Sequence, residues 1–154
     1  MAKFVYEVLN EVGSKKKKAD RIQILKQNET WALKDIIKGS MDSKIEWLIP
    51  DGEPPYTPAE GHNHPSNLLR ENTKFRYFVK NGVGEKMPPF KRENIFIGLI
   101  EGIHPEDAKL VIGMINKNVP KGLTKEIVKE AFPGLLEALF GIQFFKLLHL
   151  TRVC

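Results

Sequence analysis

Four prolines within nine positions, Pro50, Pro54, Pro55 and Pro58, constrain this chain more than any other feature. Proline lacks the backbone donor and fixes φ. The run Pro50-Asp51-Gly52-Glu53-Pro54-Pro55-Tyr56-Thr57-Pro58 can therefore be neither helix interior nor central strand. Gly61-His62-Asn63-His64-Pro65 prolongs the break. The chain reads as two helix-forming stretches joined by a long loop, 50–65. A loop of that length carries function or is tied down by its own side chains.

On both sides of the loop, apolar residues recur at helical spacing between caps and glycine stops. Phe4 to Val12 is a short helix stopped by Gly13. Ser14 caps a second, to about Gln27, with Ala19, Ile22 and Leu25 inward. Asn28 caps a third, with Leu33, Ile36 and Ile37 inward and Gly39 as the stop. Asp42 opens either one more helical turn or an extended segment through Ile45, Leu48 and Ile49. Ser66 caps a helix to about Asn81, with Leu68, Phe75, Phe78 and Val79 on its apolar side. Lys91 to Glu101 is helical, with Ile95, Phe96, Leu99 and Ile100 inward. His104-Pro105-Glu106-Asp107 starts the next helix, whose core face is Ala108, Val111, Ile112 and Ile115. Thr124 caps the following one, and Pro133-Gly134 punctuates it. The expected fold is all-α: residues 1–136 form a single domain, a compact bundle of about six or seven short helices with one Pro-rich loop.

Composition acts here as exclusion. A chain of 154 residues with 42% hydrophobic and 28% charged content is not collagen-like, coiled-coil or wholly disordered. No uninterrupted apolar run reaches the ~20 residues of a spanning helix. Met1 to Glu7 holds no apolar signal stretch. Cys154 has no second cysteine to pair with. A cytoplasmic setting with no membrane contact is expected. The segment 137–154 differs from the rest. Leu139, Phe140, Phe144, Leu147 and Leu148 leave it little polar face, so it is expected to bury against the core or, as an oligomer contact, against a second copy.

Three segments carry a resemblance. The first is Ile45-Glu46-Trp47-Leu48-Ile49-Pro50-Asp51-Gly52-Glu53-Pro54-Pro55-Tyr56-Thr57-Pro58. The second runs Lys91-Arg92-Glu93-Asn94-Ile95-Phe96-Ile97, then Leu99-Ile100-Glu101, then His104-Pro105-Glu106-Asp107-Ala108-Lys109-Leu110. The third is Lys121-Gly122-Leu123-Thr124-Lys125-Glu126-Ile127-Val128-Lys129-Glu130-Ala131-Phe132-Pro133-Gly134-Leu135. In that order they resemble a family of small proteins of T4-like tailed phages, including phages of marine cyanobacteria. The resemblance spans residues 5–136 and ends after Leu136. It implies a viral origin and a compact protein in the host cytoplasm. It implies no activity and brings no catalytic residues.

Site chemistry is sparse. His62 and His64 can face one side of an extended segment, and His104 and Glu60 could complete a metal site. Against that stand the absence of HExxH and of paired cysteines, so no metal is expected. Ser14, Ser40, Ser43 and Ser66 sit at turns and caps, outside any nucleophile elbow. Gly82-Val83-Gly84 lacks the third glycine of a dinucleotide loop, and there is no Walker lysine. Glu106-Asp107 reads as helix-dipole complementation. No cofactor and no enzymatic activity are expected.

Charge gives the strongest functional signal. The chain carries 24 Lys and Arg against 19 Asp and Glu, a net of +5 that favours anionic partners. On a helical wheel over 66–81, Arg70, Lys74, Tyr77 and Lys80 share one side, with Arg76 at its edge. Cations neutralise phosphates and a ring between them can stack on a base. Lys15, Lys16, Lys17 and Lys18 form a second cluster, and Lys91 with Arg92 a third. The reading is a non-enzymatic phage accessory protein that binds nucleic acid, or the machinery that handles it, during infection. One alternative is a binder or inhibitor of a host protein, acting through Pro54, Pro55 and Tyr56 of the Pro-rich loop. The other is a virion-associated structural protein.

Overall fold

A computed structural model describes residues 3–60 and 63–136. Among them are seven α-helices: α1 (Val5–Ser14), α2 (Lys18–Gln27), α3 (Trp31–Met41), α4 (Leu68–Glu71), α5 (Pro89–Gly102), α6 (Pro105–Ile115) and α7 (Lys125–Ala131). A 3-10 helix, Asn72–Tyr77, continues α4 directly, and the only β pairing described is an isolated antiparallel bridge between Trp47 and Val79. The expected all-α bundle is the observed architecture. The segment 137–154, expected to bury in the core or an interface, lies outside the described residues.

The local chemistry explains most of the boundaries. Pro105 occupies the first position of α6, and His104 Nδ1 accepts the Glu106 N–H (3.1 Å) as its cap. Thr124 Oγ1 accepts the Ile127 N–H (3.3 Å) and starts α7. Three caps fall elsewhere than the sequence suggested. Thr30, not Asn28, caps α3 by accepting the Leu33 N–H (3.1 Å). Asn28 instead closes α2, its Nδ2 donating to the Ile24 carbonyl (2.8 Å). Ser14 is the last residue of α1, its hydroxyl turned to the Glu11 carbonyl (2.7 Å), and Lys17 stands at the start of α2 without a side-chain cap. Asn67, not Ser66, caps α4 by accepting the Arg70 N–H (3.0 Å). Ser66 donates its hydroxyl to Glu71 (2.7 Å).

One core joins α1, α2, α3, α5, α6 and α7 with the 3-10 segment. Val5, Val8, Leu9, Leu25, Leu33, Ile36, Phe75, Phe96, Leu99, Val111 and Val128 are among its buried residues. Ile22, Leu25, Ile37, Ile100 and Ala108 are buried as their spacing predicts. Ala19 is exposed instead. Residues 42–49 take the extended alternative. Leu48 N–H donates to the Phe78 carbonyl (2.6 Å) and Lys80 N–H to the Glu46 carbonyl (2.8 Å), with Ile45 and Ile49 buried.

The single helix expected over 66–81 is not formed. Asn72, Phe75 and Phe78 are all fully buried, at a spacing of three. That is the period of a 3-10 helix, in which i and i+3 eclipse. Asn72 is held inward by Asp35, to which its Nδ2 donates (2.7 Å). The Pro-rich loop is strapped across the α5–α6 hairpin. Gly52 exchanges hydrogen bonds with Asn116 (2.7 and 3.2 Å), and Thr57 N–H donates to Glu101 (2.8 Å).

Candidate nucleic-acid interface

The basic face expected over Arg70–Lys80 does not assemble, because its residues are on a 3-10 segment and a bridge rather than one α-helix. Lys74 pairs with Glu71 (2.7 Å) and Lys80 with Glu46 (3.3 Å). The Arg76 guanidinium lies over the Tyr77 ring at 5.2 Å, with Nη2 donating to the Tyr77 hydroxyl (3.3 Å). Tyr77 itself packs half-buried against the core, so it is not free to stack on a base. Arg70 is exposed. Arg92, expected at the surface beside Lys91, is buried, and its Nη1 donates to the Gly84 (3.1 Å) and Met87 (3.2 Å) carbonyls. Its charge holds the 84–87 turn onto α5 and is not available to a partner. Lys91 is exposed next to Phe90, which is 70% exposed. Phe90 was missed; it falls off the Ile95–Phe96–Leu99 stripe, a signal the helical period does carry.

A group of unpaired cations gathers at one end of the bundle instead. Tyr6, early in α1, stacks on His104 at the start of α6 (4.6 Å between ring centroids). Just past their other ends, Gly13 lies so close to the 121–122 turn that a Cβ on Gly122 would stand 2.9 Å from the Gly13 Cα. The two helices therefore run parallel. The end of α3 joins them, since Lys117 Nζ donates to the Gly39 carbonyl (2.9 Å). The starts of α2 and α7 meet through Lys18, which pairs with Glu126 (3.3 Å) and Glu130 (3.4 Å). Arg21 ties the two loops of this end together: Nε donates to the Lys15 carbonyl (2.8 Å) and Nη1 to the Gly122 carbonyl (3.3 Å).

Lys15, Lys16, Lys17 and Lys121 are thus held side by side, all exposed and none in an ion pair among the described residues. Lys15 follows the C-terminus of α1, where a cation complements the helix dipole, whereas Lys17 stands at the start of α2. Glu7, Glu106 and Asp107 stand at the opposite end, in the first turns of α1 and α6. Of the expected cations, Lys15, Lys16 and Lys17 are therefore the free ones of the N-terminal cluster. Lys18 is spent on α7. In the Pro-rich loop, Pro55 is exposed, while Pro54 is half-buried and Tyr56 packs against the core as a lid.

Inside the same end lies a knot of buried charge. Lys38 Nζ donates to Asp42 Oδ2 (2.7 Å) and to the Leu135 carbonyl (2.6 Å), and its side chain is 1% exposed. Lys117 Nζ reaches the Asp42 carbonyl (2.8 Å). Burial works to raise the Asp42 carboxyl, but the Lys38 hydrogen bond and the Lys44 backbone N–H outweigh it and hold it below the ordinary value. Burial lowers the Lys117 amine, against the pull of Asp42.

The histidines gather at the opposite end. His64 and His104 stand edge to face at 5.7 Å, with Phe4 against both. His64 Nδ1 donates to the Ser66 carbonyl (2.7 Å), while His104 Nδ1 is occupied as the α6 cap. Among the described residues no three His, Cys, Asp or Glu side chains converge as a metal ion needs, and Glu60 instead accepts from Asn63 (3.2 Å). His62 lies outside the described residues.

Beside this cluster, Asp107 Oδ1 accepts the Tyr6 N–H (2.9 Å), and Oδ2 is buried with no hydrogen-bond partner. Burial raises its carboxyl to about 6; Glu7 and Glu106 reinforce the shift, and the Tyr6 N–H and His64 oppose it. A carboxyl raised on folding favours the folded state at low pH and loses that contribution as pH rises from 3.8 through about 6. Asp107→Asn should therefore stabilise the protein by about 3 kcal/mol at neutral pH. The gain should vanish below about pH 4, where Asp107 is protonated in both states. Urea midpoints at the two pH values measure it; a difference that does not change with pH would refute the assignment.

A family of unknown function, DUF6433, matches residues 8–121 of the chain. No curated protein and no solved structure matches it.

Proposed function

The chain belongs to the DUF6433 family of unknown function, and we propose that it is a non-enzymatic accessory protein of a tailed phage that binds nucleic acid through its lysine-rich end. The phage origin rests on the three resembling segments. The binding rests on one observation: Lys15, Lys16 and Lys17 stand exposed and unpaired beside Lys121, fixed there by Arg21. Consecutive cations on a rigid end fit the regular phosphate spacing of a backbone and release its counterions. The host-protein reading through Pro54, Pro55 and Tyr56 is weaker, because Tyr56 is turned onto the core and the loop is strapped down at Gly52 and Thr57.

The test is binding measured by fluorescence anisotropy across a salt series. Charge reversal at Lys15, Lys16 and Lys17 together should lower affinity for duplex DNA by about tenfold or more and flatten the log–log salt slope by about 2.7, at ~0.9 per phosphate contact. Reversal at Arg70 and Lys74 should change it little, since Lys74 is already paired with Glu71. Wild-type protein with no affinity at low salt, where the electrostatic attraction is strongest, overturns the reading. So does a loss that follows Arg70 and Lys74 instead.

A further inference from the structure

A cavity of about 460 Å³ opens between the end of α3 and α7, lined by Asp42, Ser43, Lys44, Lys125, Lys129 and Leu136 among others. That volume is in the ~300–1,000 Å³ range of small-ligand sites. Its charge is unbalanced. Among the described residues Asp42 is the one carboxylate on its wall, and Lys38 already engages it from behind at 2.7 Å. Lys44 Nζ stands 3.9 Å from the same carboxylate and donates to the Leu136 carbonyl (3.0 Å).

Lys125 and Lys129 are four residues apart on α7, where like charges repel along one helix face. Their neighbours Glu126 and Glu130 turn the other way, to Lys18 on α2. Neither Lys125 nor Lys129 has an ion pair among the described residues. Lys117 adds a further amine behind the wall, at the Asp42 carbonyl. Three lysines therefore face one concave space whose own acid is already neutralised. Among the described residues no further anion balances them.

We propose that this cavity binds a phosphomonoester, either the terminal phosphate of a strand or that of a free nucleotide, with Lys44, Lys125 and Lys129 as its ligands and the Ser43 hydroxyl as a further donor. A phosphomonoester carries a charge of about −1.5 to −2 at neutral pH and three free oxygens. A backbone diester offers one negative charge and two free oxygens. Three amines match the monoester in both charge and number of acceptors. The pocket is separate from the exposed Lys15–Lys17 row, and it depends on the nucleic-acid reading only for the source of the phosphate.

The experiment uses the full chain. Anisotropy compares one single-stranded oligonucleotide carrying a 5′-phosphate, a 3′-phosphate or hydroxyl ends. Inorganic phosphate and adenosine monophosphate are titrated separately, observed at the lysine side chains by NMR. Wild type should bind a phosphorylated strand about tenfold more tightly than the hydroxyl strand, as charge-assisted contacts of this kind give. Lys125→Gln with Lys129→Gln should erase the preference and leave hydroxyl-strand binding intact. Charge reversal at Lys15–Lys17 should weaken all strands alike and keep the preference.

A response to inorganic phosphate and adenosine monophosphate, lost in the Lys125 and Lys129 variant, upholds the pocket. If wild type also binds no strand, the ligand is a free nucleotide and the nucleic-acid reading falls while the pocket stands. Equal affinity for all strands together with no response to inorganic phosphate overturns the pocket, whatever the strand affinity is.

Discussion

Gly84→Ala should destabilise the protein by about 3 kcal/mol, as forced overpacking of a filled site does. Gly84 is buried, and a Cβ built on it would stand 2.5 Å from the Tyr77 Cα and 2.6 Å from the Tyr77 carbonyl carbon. Both are backbone atoms, so no side-chain rotation can make room. The 82–88 turn must move away from the 3-10 segment, and Arg92 then loses carbonyl partners inside the protein. A buried guanidinium without acceptors costs more than the methyl itself.

Gly98 provides the control. It lies within α5, and a Cβ there meets nothing within 4 Å. Gly98→Ala should stabilise by about 0.5–1 kcal/mol, through helix propensity and the unfolded-state entropy that glycine carries. Thermal unfolding of the two variants should thus shift in opposite directions, by about 10 °C downward for Gly84 and a few degrees upward for Gly98. A wild-type melting temperature for Gly84→Ala would mean that the turn does not pack on Tyr77.

The contrast shows what local sequence can carry. Helix starts written in two or three adjacent residues were legible: His104-Pro105 opens α6, and Thr124 opens α7. So were the core faces of α3, α5 and α6, because a 3.6 period needs only the segment itself. The 72–77 segment was not legible. At a 3.6 period Leu68, Asn72, Phe75 and Val79 share one face, so the segment's own pattern reads as one α-helix with a polar residue in its stripe. Asn72 reads as surface until its hydrogen bond to Asp35, 37 positions away, is known. The misplaced caps have the same origin. Ser66 and Asn67 are equally good N-caps in isolation, and Ser66 is drawn off by Glu71.

The site divides along the same line. Three successive lysines cannot all turn inward, so the exposure of Lys15, Lys16 and Lys17 follows from their order alone. The pairing of Lys18 with α7, 108 and 112 positions away, does not. Arg92 looked like half of a basic pair, but its partners are backbone carbonyls, which have no sequence signature. The lysines of the Asp42 cavity come from α7 and from the turn after α3, and only the fold brings them to one space.

The buried pair at the centre of that end sets the other large effect. Lys38→Met keeps the stem volume and removes the charge. It leaves the Asp42 carboxylate, 4% exposed at its side chain, with the Lys44 backbone N–H at 2.9 Å and the Lys44 amine at 3.9 Å. Breaking one side of a buried pair costs about 3–5 kcal/mol, and the remaining Lys44 contacts place this case near ~3. The Leu135 carbonyl also loses its donor, which loosens the 133–136 turn from α3.

Asp42→Asn in the same chain should recover much of the loss, because a neutral amide does not need the lysine. The double variant should therefore be far more stable than the sum of the single changes, as coupled sites are. The pH dependence has a definite sign. In wild type the lowered Asp42 carboxyl contributes stability that is present above its ordinary value of 3.8 and is lost as pH falls through its folded value. Without Lys38, burial dominates and the carboxyl shifts upward, so the variant regains stability as pH falls while wild type loses it. The gap between the two should be widest near pH 7 and close toward about pH 4. Urea denaturation of the four chains at both pH values decides it. A Lys38→Met deficit that stays constant between them would show that the cost comes from lost packing of the lysine stem, with no part played by the charge of Asp42.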